Sequence, residues 1–194
     1  YIIRASPKTN QILVYGIPTY AASPLPRYLM KWMLLKVFRE KGIFFIHGSA
    51  VTMEEHSLLF VGPSGYGKTW ILISLLLTGC KMITDDTILV DSNGYVLPFY
   101  MRSMIHEDTL RKFPTLRKGI GKGSTYIPNE GWLIDLSEIF PVEIERVRPS
   151  KIFSIYIWKS EKTRVERSSK GEALSRLLRS YRDEMQNSIW FGFN

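Results

Sequence analysis

Cysteine is nearly absent: Cys80 stands alone among 194 residues. A single thiol excludes an intramolecular disulfide framework and fits the reducing cytoplasm, which is the compartment expected. Cys80 follows Gly79 on an apolar stretch and reads as a small core residue, not a nucleophile. Long apolar runs are missing as well. No stretch reaches the roughly 18 residues of a membrane-spanning helix, so no membrane partner is expected. No signal-peptide pattern is visible, although the chain starts at Tyr1 rather than Met. Internal repeats and low-complexity segments are lacking too. Acidic residues are the minority, 18 Asp and Glu against 26 Lys and Arg, for a net charge of +8. The basic residues are scattered, with one modest cluster at Arg111, Lys112, Arg117, Lys118 and Lys122. That cluster is not interleaved with stacking aromatics and forms no nucleic-acid motif, so no nucleic-acid partner is expected.

What is present is the material of a globular core: 45% hydrophobic and 13% aromatic residues. The length suits one domain, residues 1–194, without room for a second. Gln11 to Tyr15 alternates as a strand. Pro24 and Pro26 open a helical stretch from Arg27 to Glu40, stopped by Gly42. Ile43 to Val51 reads as a buried strand that returns, through the short polar stretch Thr52 to His56, into a strand at Ser57 to Val61. An antiparallel hairpin at this point is unlike a Rossmann-type arrangement, which needs a crossover helix. A short strand begins at Met82-Ile83. Asp91-Ser92-Asn93-Gly94 between Ile88-Leu89-Val90 and Tyr95-Val96-Leu97 predicts a β-hairpin. Between Tyr100 and Gly131 the pattern weakens to a short helix over Glu107 to Phe113 and a flexible basic loop over Gly119 to Ser124. Lys151 to Trp158 reads as a strand. Gly171 to Met185 reads as an amphipathic helix presenting Leu174, Leu177, Leu178 and Tyr181.

The stretch around which this order is arranged is Gly62-Pro63-Ser64-Gly65-Tyr66-Gly67-Lys68-Thr69, of the form G-x-x-x-x-G-K-[ST]. An apolar strand precedes it and a helix, beginning at Thr69-Trp70, follows it, which is the context a phosphate-binding loop requires. Glycines let the backbone curl so that successive N–H groups point inward, and the helix N-terminus adds its dipole. Residues Gly62 to Trp70 are therefore the expected nucleotide-binding stretch. Lys68 is expected to reach the β- and γ-phosphates and the Thr69 hydroxyl to sit on Mg²⁺.

Two further features belong with it. Asp85-Asp86 follows an apolar strand, sixteen residues beyond Thr69. A kinase built on such a loop needs a carboxylate for the metal and a base for the acceptor hydroxyl, and adjacent aspartates at a strand end point in different directions. The alternative is a turn cap ahead of the hairpin. His47 lies on the strand before the loop strand, followed by small residues, where a satisfied core histidine is the default. His56 and His106 lie in polar surroundings and read as surface residues.

Taken together, His47-Gly-Ser-Ala-Val51, Phe60-Val-Gly-Pro-Ser-Gly-Tyr-Gly-Lys-Thr69 and Gly79-Cys-Lys-Met-Ile-Thr-Asp-Asp-Thr87 resemble the catalytic core of the HPr kinase/phosphorylase family, which shares its loop arrangement with ATP-dependent phosphoenolpyruvate carboxykinases. The resemblance spans about residues 43 to 99. It implies an α/β fold with a mixed sheet and an ATP- and Mg²⁺-dependent serine kinase. In that reading Asp85 is the general base, Asp86 and Thr69 serve the metal, and His47 lies near the aspartates. No counterpart of the N-terminal domain of the full bacterial HPr kinases is expected within these 194 residues, and their glycine-rich signature with its metal-binding glutamate is not recognisable. Glu130, Asp135 and Glu138 are candidate substitutes without motif support. The short form resembles instead the HPr-kinase-related proteins found with lasso-peptide biosynthesis genes, which implies a precursor peptide with a C-terminal serine as acceptor. Arg102 and Arg117 are candidate partners for phosphate or a peptide carboxylate. HPr or free serine as acceptor, and a nucleotide-binding regulatory module without transfer, are the alternatives.

Overall fold

The computed structural model describes residues 2–6, 11–15, 34, 36–121, 123–157 and 162–189, with backbone alone for 2–6, 11–15 and 183–189. β1 (Ile2–Ser6) and β2 (Gln11–Tyr15) pair antiparallel, Ile3 opposite Val14. Most of the helix expected over Arg27 to Glu40 lies outside the described residues, as do Lys122 and Trp190 to Asn194; residues 36–40 are helical.

The expected α/β class with a mixed sheet is what the chain adopts. β3 (Phe44–Met53) is the centre of a six-stranded sheet, and seven of its ten residues are buried. Burial on both sides explains why its sequence is a near-continuous apolar and small-residue run instead of an alternation. β3 turns tightly into β4 (His56–Val61), with Met53 opposite His56 and Gly48 opposite Val61, as expected for the hairpin. On the far side of β4, β11 (Lys151–Ser154) adds in parallel, Lys151 beside Leu58. That one parallel pair makes the sheet mixed.

The other edge of β3 carries two strands in line. β5 (Lys81–Thr84) covers its C-terminal half and β6 (Thr87–Val90) its N-terminal half. Ala50 lies opposite Thr84 and His47 opposite Thr87, so Asp85 and Asp86 bridge the gap level with Ser49 and Gly48. β6 then forms the expected hairpin with β7 (Val96–Leu97), Val90 opposite Val96. Its turn is held by Asp91, whose carboxylate accepts from the N–H groups of Asn93 and Tyr95.

Helices cover both faces of the sheet. α1 (Lys68–Leu77) buries Leu72, Ile73 and Leu76 against Val51, Phe60 and Met82. The opposite face, built from the alternate residues Ala50, Leu59, Val61 and Ile83, receives Leu177. Leu177 belongs to α3 (Lys170–Ile189), which packs on β3. The inward stripe of α3 is Ala173, Arg176, Leu177, Ser180 and Tyr181, at helical spacing. Leu174 and Leu178, expected on that face, are 58% and 57% exposed. Two leucines one position away from the buried row satisfied the same pattern, and only packing could choose between the rows.

The weakly patterned middle of the chain folds into a small three-stranded antiparallel sheet, which the sequence reading did not anticipate. β8 (Ser103–Ile105) and β9 (Thr125–Ile127) flank β10 (Gly131–Ile134). With α2 (Glu107–Lys112) and a 3₁₀ turn at Pro114–Gly119, they close over the core through Ile105, Leu110, Leu116 and Ile134. Strands of three and four residues are too short to show a period. Among the described residues no helix is long and apolar enough to cross a membrane.

Candidate functional site

A cavity of about 870 Å³ opens where the β4–α1 loop meets the β5–β6 junction, floored by Ser64 to Trp70 and flanked by His47, Asp85 and Asp86. The size is that of a small-molecule site. Its far wall comes from the small sheet and α2, through Arg102, Met104, Leu133, His106 and Thr109. Every residue of the sequence-derived site lines it except Gly62 and Pro63, which form the base of the loop.

The loop has the backbone that glycines permit. Gly65 and Gly67 stand at φ +79° and +84°, and no neighbour lies within 4 Å of where a Cβ would be. α1 starts directly from Gly67, with Ile71 N–H donating to the Gly67 carbonyl, so the N–H groups of its first turn have no partner within the helix. Lys68 is buried, and its Nζ donates to the carbonyls of Gly62 and Pro63 at 2.9 and 2.7 Å. The ammonium thus closes the loop on itself and lies across its concavity. An open-backed curl, a helix N-terminus and a lysine inside the curl fit a phosphate chain.

Asp85 and Thr69 tie the loop to the sheet. Thr69 Oγ1 donates to the two Asp85 carboxylate oxygens at 3.2 and 3.5 Å. Asp85 is 5% exposed. Burial, the largest influence, pushes its carboxyl above the ordinary carboxylate range, and the neighbouring Asp86 charge pushes the same way. The Thr69 and Ser103 hydroxyls and the Asp86 N–H oppose the rise. Ser103 Oγ is buried and meets no partner at full hydrogen-bond geometry among the described residues, yet it lies near enough to Asp85 to act on it electrostatically.

Asp86 points elsewhere. Its side chain is 46% exposed and stands 3.4 Å from His47 Nδ1, which also lies 3.0 Å from the Asp86 carbonyl. The backbone at Asp86 is strained: φ is +67°, and Thr87 N–H donates to the Asp85 carbonyl across it. A two-residue closure with positive φ at its centre is the rare, costly form of γ-turn. Non-glycine residues in such conformations cost about 1–3 kcal/mol and concentrate at functional sites. The turn is over-determined from outside, because Thr84 and Thr87 are each fixed against β3 and Gly48 N–H donates to the Asp86 carbonyl. Gly48 itself must be glycine for β3 to lie this close to its neighbours: a Cβ there would lie 2.6 Å from the Phe60 carbonyl oxygen and 2.7 Å from Ile88 Cδ1.

The remaining candidates separate. Arg102 joins the cavity wall; Arg117 is exposed and does not line it, nor do Glu130, Asp135 and Glu138. Asp135 is occupied as a cap, accepting from the N–H and hydroxyl of Ser137. His106, read as a surface residue, is exposed but lines the cavity ahead of α2. Nothing in its local sequence marks it, because the small sheet that carries it there is not legible beforehand. Of the two aspartates, it is Asp85 that the Thr69 hydroxyl contacts. Among the described residues no three His, Cys, Asp or Glu side chains form a metal cluster. A magnesium ion here would draw on one or two protein oxygens and on phosphates, its usual mode.

No protein-family model and no curated protein matches the sequence. Among solved structures the chain is similar to the Hpr(Ser) kinase/phosphatase from Coxiella burnetii, at 15% identity over 77% of this chain and 99% of that one, with a TM-score of 0.34.

Proposed function

We propose that this protein is an ATP- and Mg²⁺-dependent kinase that phosphorylates a serine hydroxyl. The observation that carries the proposal is the Thr69–Asp85 contact, which joins the phosphate-type loop to a buried carboxylate in one cavity, with Asp86 and His47 beside it. A nucleotide-binding module needs the loop but has no use for a carboxylate held at raised proton affinity. The residues fit the groups they would hold: the loop N–H groups and Lys68 for the phosphate chain, Thr69 with an aspartate for Mg²⁺. The metal, when bound, neutralises charge on the transferring phosphoryl group. Asp85, buried and proton-seeking, would accept the proton of the serine hydroxyl as it attacks the γ-phosphorus, while the bond to the β-bridging oxygen breaks.

One observation favours a second division of labour. Because Thr69 meets Asp85, Asp85 is the carboxylate nearer the expected metal, which would leave Asp86, turned towards His47, to face the acceptor. If so, Asp85→Asn raises the Mg²⁺ concentration needed for activity, whereas Asp86→Asn lowers turnover at saturating Mg²⁺. The reverse pattern supports Asp85 as base.

The acceptor we propose is a flexible peptide, in the manner of a lasso-peptide precursor ending in serine. The motifs at residues 43 to 99 resemble the catalytic core of the HPr kinase/phosphorylase family, whose short relatives include such peptide kinases, and the exposed basic side chains of Arg111, Lys112, Arg117 and Lys118 border the α2 wall. The deciding experiment is intact-mass spectrometry after incubation with ATP and Mg²⁺ of a serine-terminated precursor peptide, HPr and free serine, with Asp85→Asn as control. A gain of one phosphate on the peptide alone is expected. Phosphate on HPr or free serine refutes the peptide reading, and nucleotide binding with no acceptor modified refutes the kinase reading.

A further inference from the structure

Besides its charged residues the cavity is lined by the apolar side chains of Trp70, Met104 and Leu133, and the first of these is oddly placed for a core side chain. Trp70 occupies the first turn of α1, immediately after Thr69, and is 42% exposed. It is nevertheless fixed: its indole Nε1–H donates to the buried hydroxyl of Thr109 at 2.9 Å, and its ring lies nearly perpendicular to that of Phe113 with centroids 5.7 Å apart. An indole held at its polar atom and packed against a second ring presents its remaining surface in one orientation. Met104 and Leu133, directly opposed across the β8–β10 pair, line the same cavity.

We infer that Trp70 is the platform on which the base of the bound nucleotide stacks, with Met104 and Leu133 as the facing apolar surface. The inference rests on the nucleotide reading above. The loop and Lys68 address the phosphates, and Asp86 with His47 defines the end where transfer occurs. A nucleoside that follows the chain past Thr69 meets Trp70, whose indole is keyed to α2. A π-face accepts any base, so the platform supplies affinity, and discrimination among bases falls to polar groups at its rim. Stacking of this kind, lost on truncation to alanine, changes affinity by roughly 5- to 100-fold.

The test compares two ligands sharing a phosphate chain, ATP and inorganic tripolyphosphate, by equilibrium binding to wild type, Trp70→Ala, Trp70→Phe and Lys68→Ala. Wild type should bind ATP more tightly than tripolyphosphate. Trp70→Ala should weaken ATP binding by about 5- to 100-fold and leave tripolyphosphate unchanged, and Trp70→Phe should recover most of the loss. Should Trp70→Ala fail to fold, the ATP-to-tripolyphosphate ratios of wild type and Trp70→Phe decide, a ratio near one overturning the inference. Equal ATP affinity in wild type and Trp70→Ala overturns it as well, as does a loss confined to the KM for the peptide. If tripolyphosphate does not bind wild type, or binds Lys68→Ala equally, the phosphate-site reading itself is lost and this inference with it.

Discussion

Replacing Asp85 by Asn should make the protein more stable and impair its activity at once. Asp85 is 5% exposed and its carboxyl is held above the ordinary range chiefly by that burial. The native state therefore binds its proton more tightly than the unfolded state, whose value is about 3.9. Between that value and the raised native one, the native state holds the extra proton. Stability accordingly falls as pH rises through the window, and the cost persists at neutral pH. Each tenfold difference in proton affinity is worth about 1.4 kcal/mol. Two hydroxyls and one N–H oppose the burial here, so the cost is smaller than an unpartnered buried carboxylate would carry. Asn keeps the shape, still accepts from Thr69, and offers its amide to Ser103 Oγ, which meets no partner at full geometry among the described residues. At pH 7.5 the gain should appear as a melting temperature above that of wild type. The assay is thermal unfolding of both proteins between pH 4 and 8, alongside phosphoryl transfer. The difference should shrink towards pH 4, where the wild-type carboxyl is itself protonated. A variant no more stable than wild type at pH 7.5, or one whose advantage stays constant with pH, would refute the reasoning.

Two further outcomes follow from the turn opposite β3. At Asp86, φ +67° favours glycine over any residue with a Cβ, so Asp86→Gly should unfold at higher denaturant than Asp86→Ala, by about 1 kcal/mol, while both lose transfer activity. Equal stability of the two would show that the turn relaxes freely. Gly48→Ala should cost about 1–3 kcal/mol, because its methyl would meet the Phe60 carbonyl and Ile88 at under 3 Å. Urea unfolding measures it, and a cost below 0.5 kcal/mol, roughly that of an ordinary surface change, would mean that β3 and β4 separate more easily than their register suggests.

The parts of this protein that could be read from sequence are those where one local rule decides. The Gly62–Thr69 loop is legible because few other residues tolerate φ near +80° at Gly65 and Gly67, and because a strand and a helix on either side leave it one geometry. The β3–β4 and β6–β7 hairpins are legible from a short polar stretch and an Asn-Gly turn between apolar runs. Other features needed the assembled chain. The buried row of α3 was ambiguous by one position, since Leu174 and Leu178 fit a helical stripe as well as Leu177 does, and packing on β3 made the choice. The small sheet of β8, β9 and β10 has strands too short to carry a period, so the cavity wall it forms, with His106, Met104 and Leu133, was invisible beforehand. Above all, the sequence by itself determined that two adjacent aspartates follow a phosphate-type loop, but not how they divide. That was decided by β5 and β6 lying end to end along β3, which forces a strained turn at Asp86 and turns Asp85 inward, under the helix, onto Thr69.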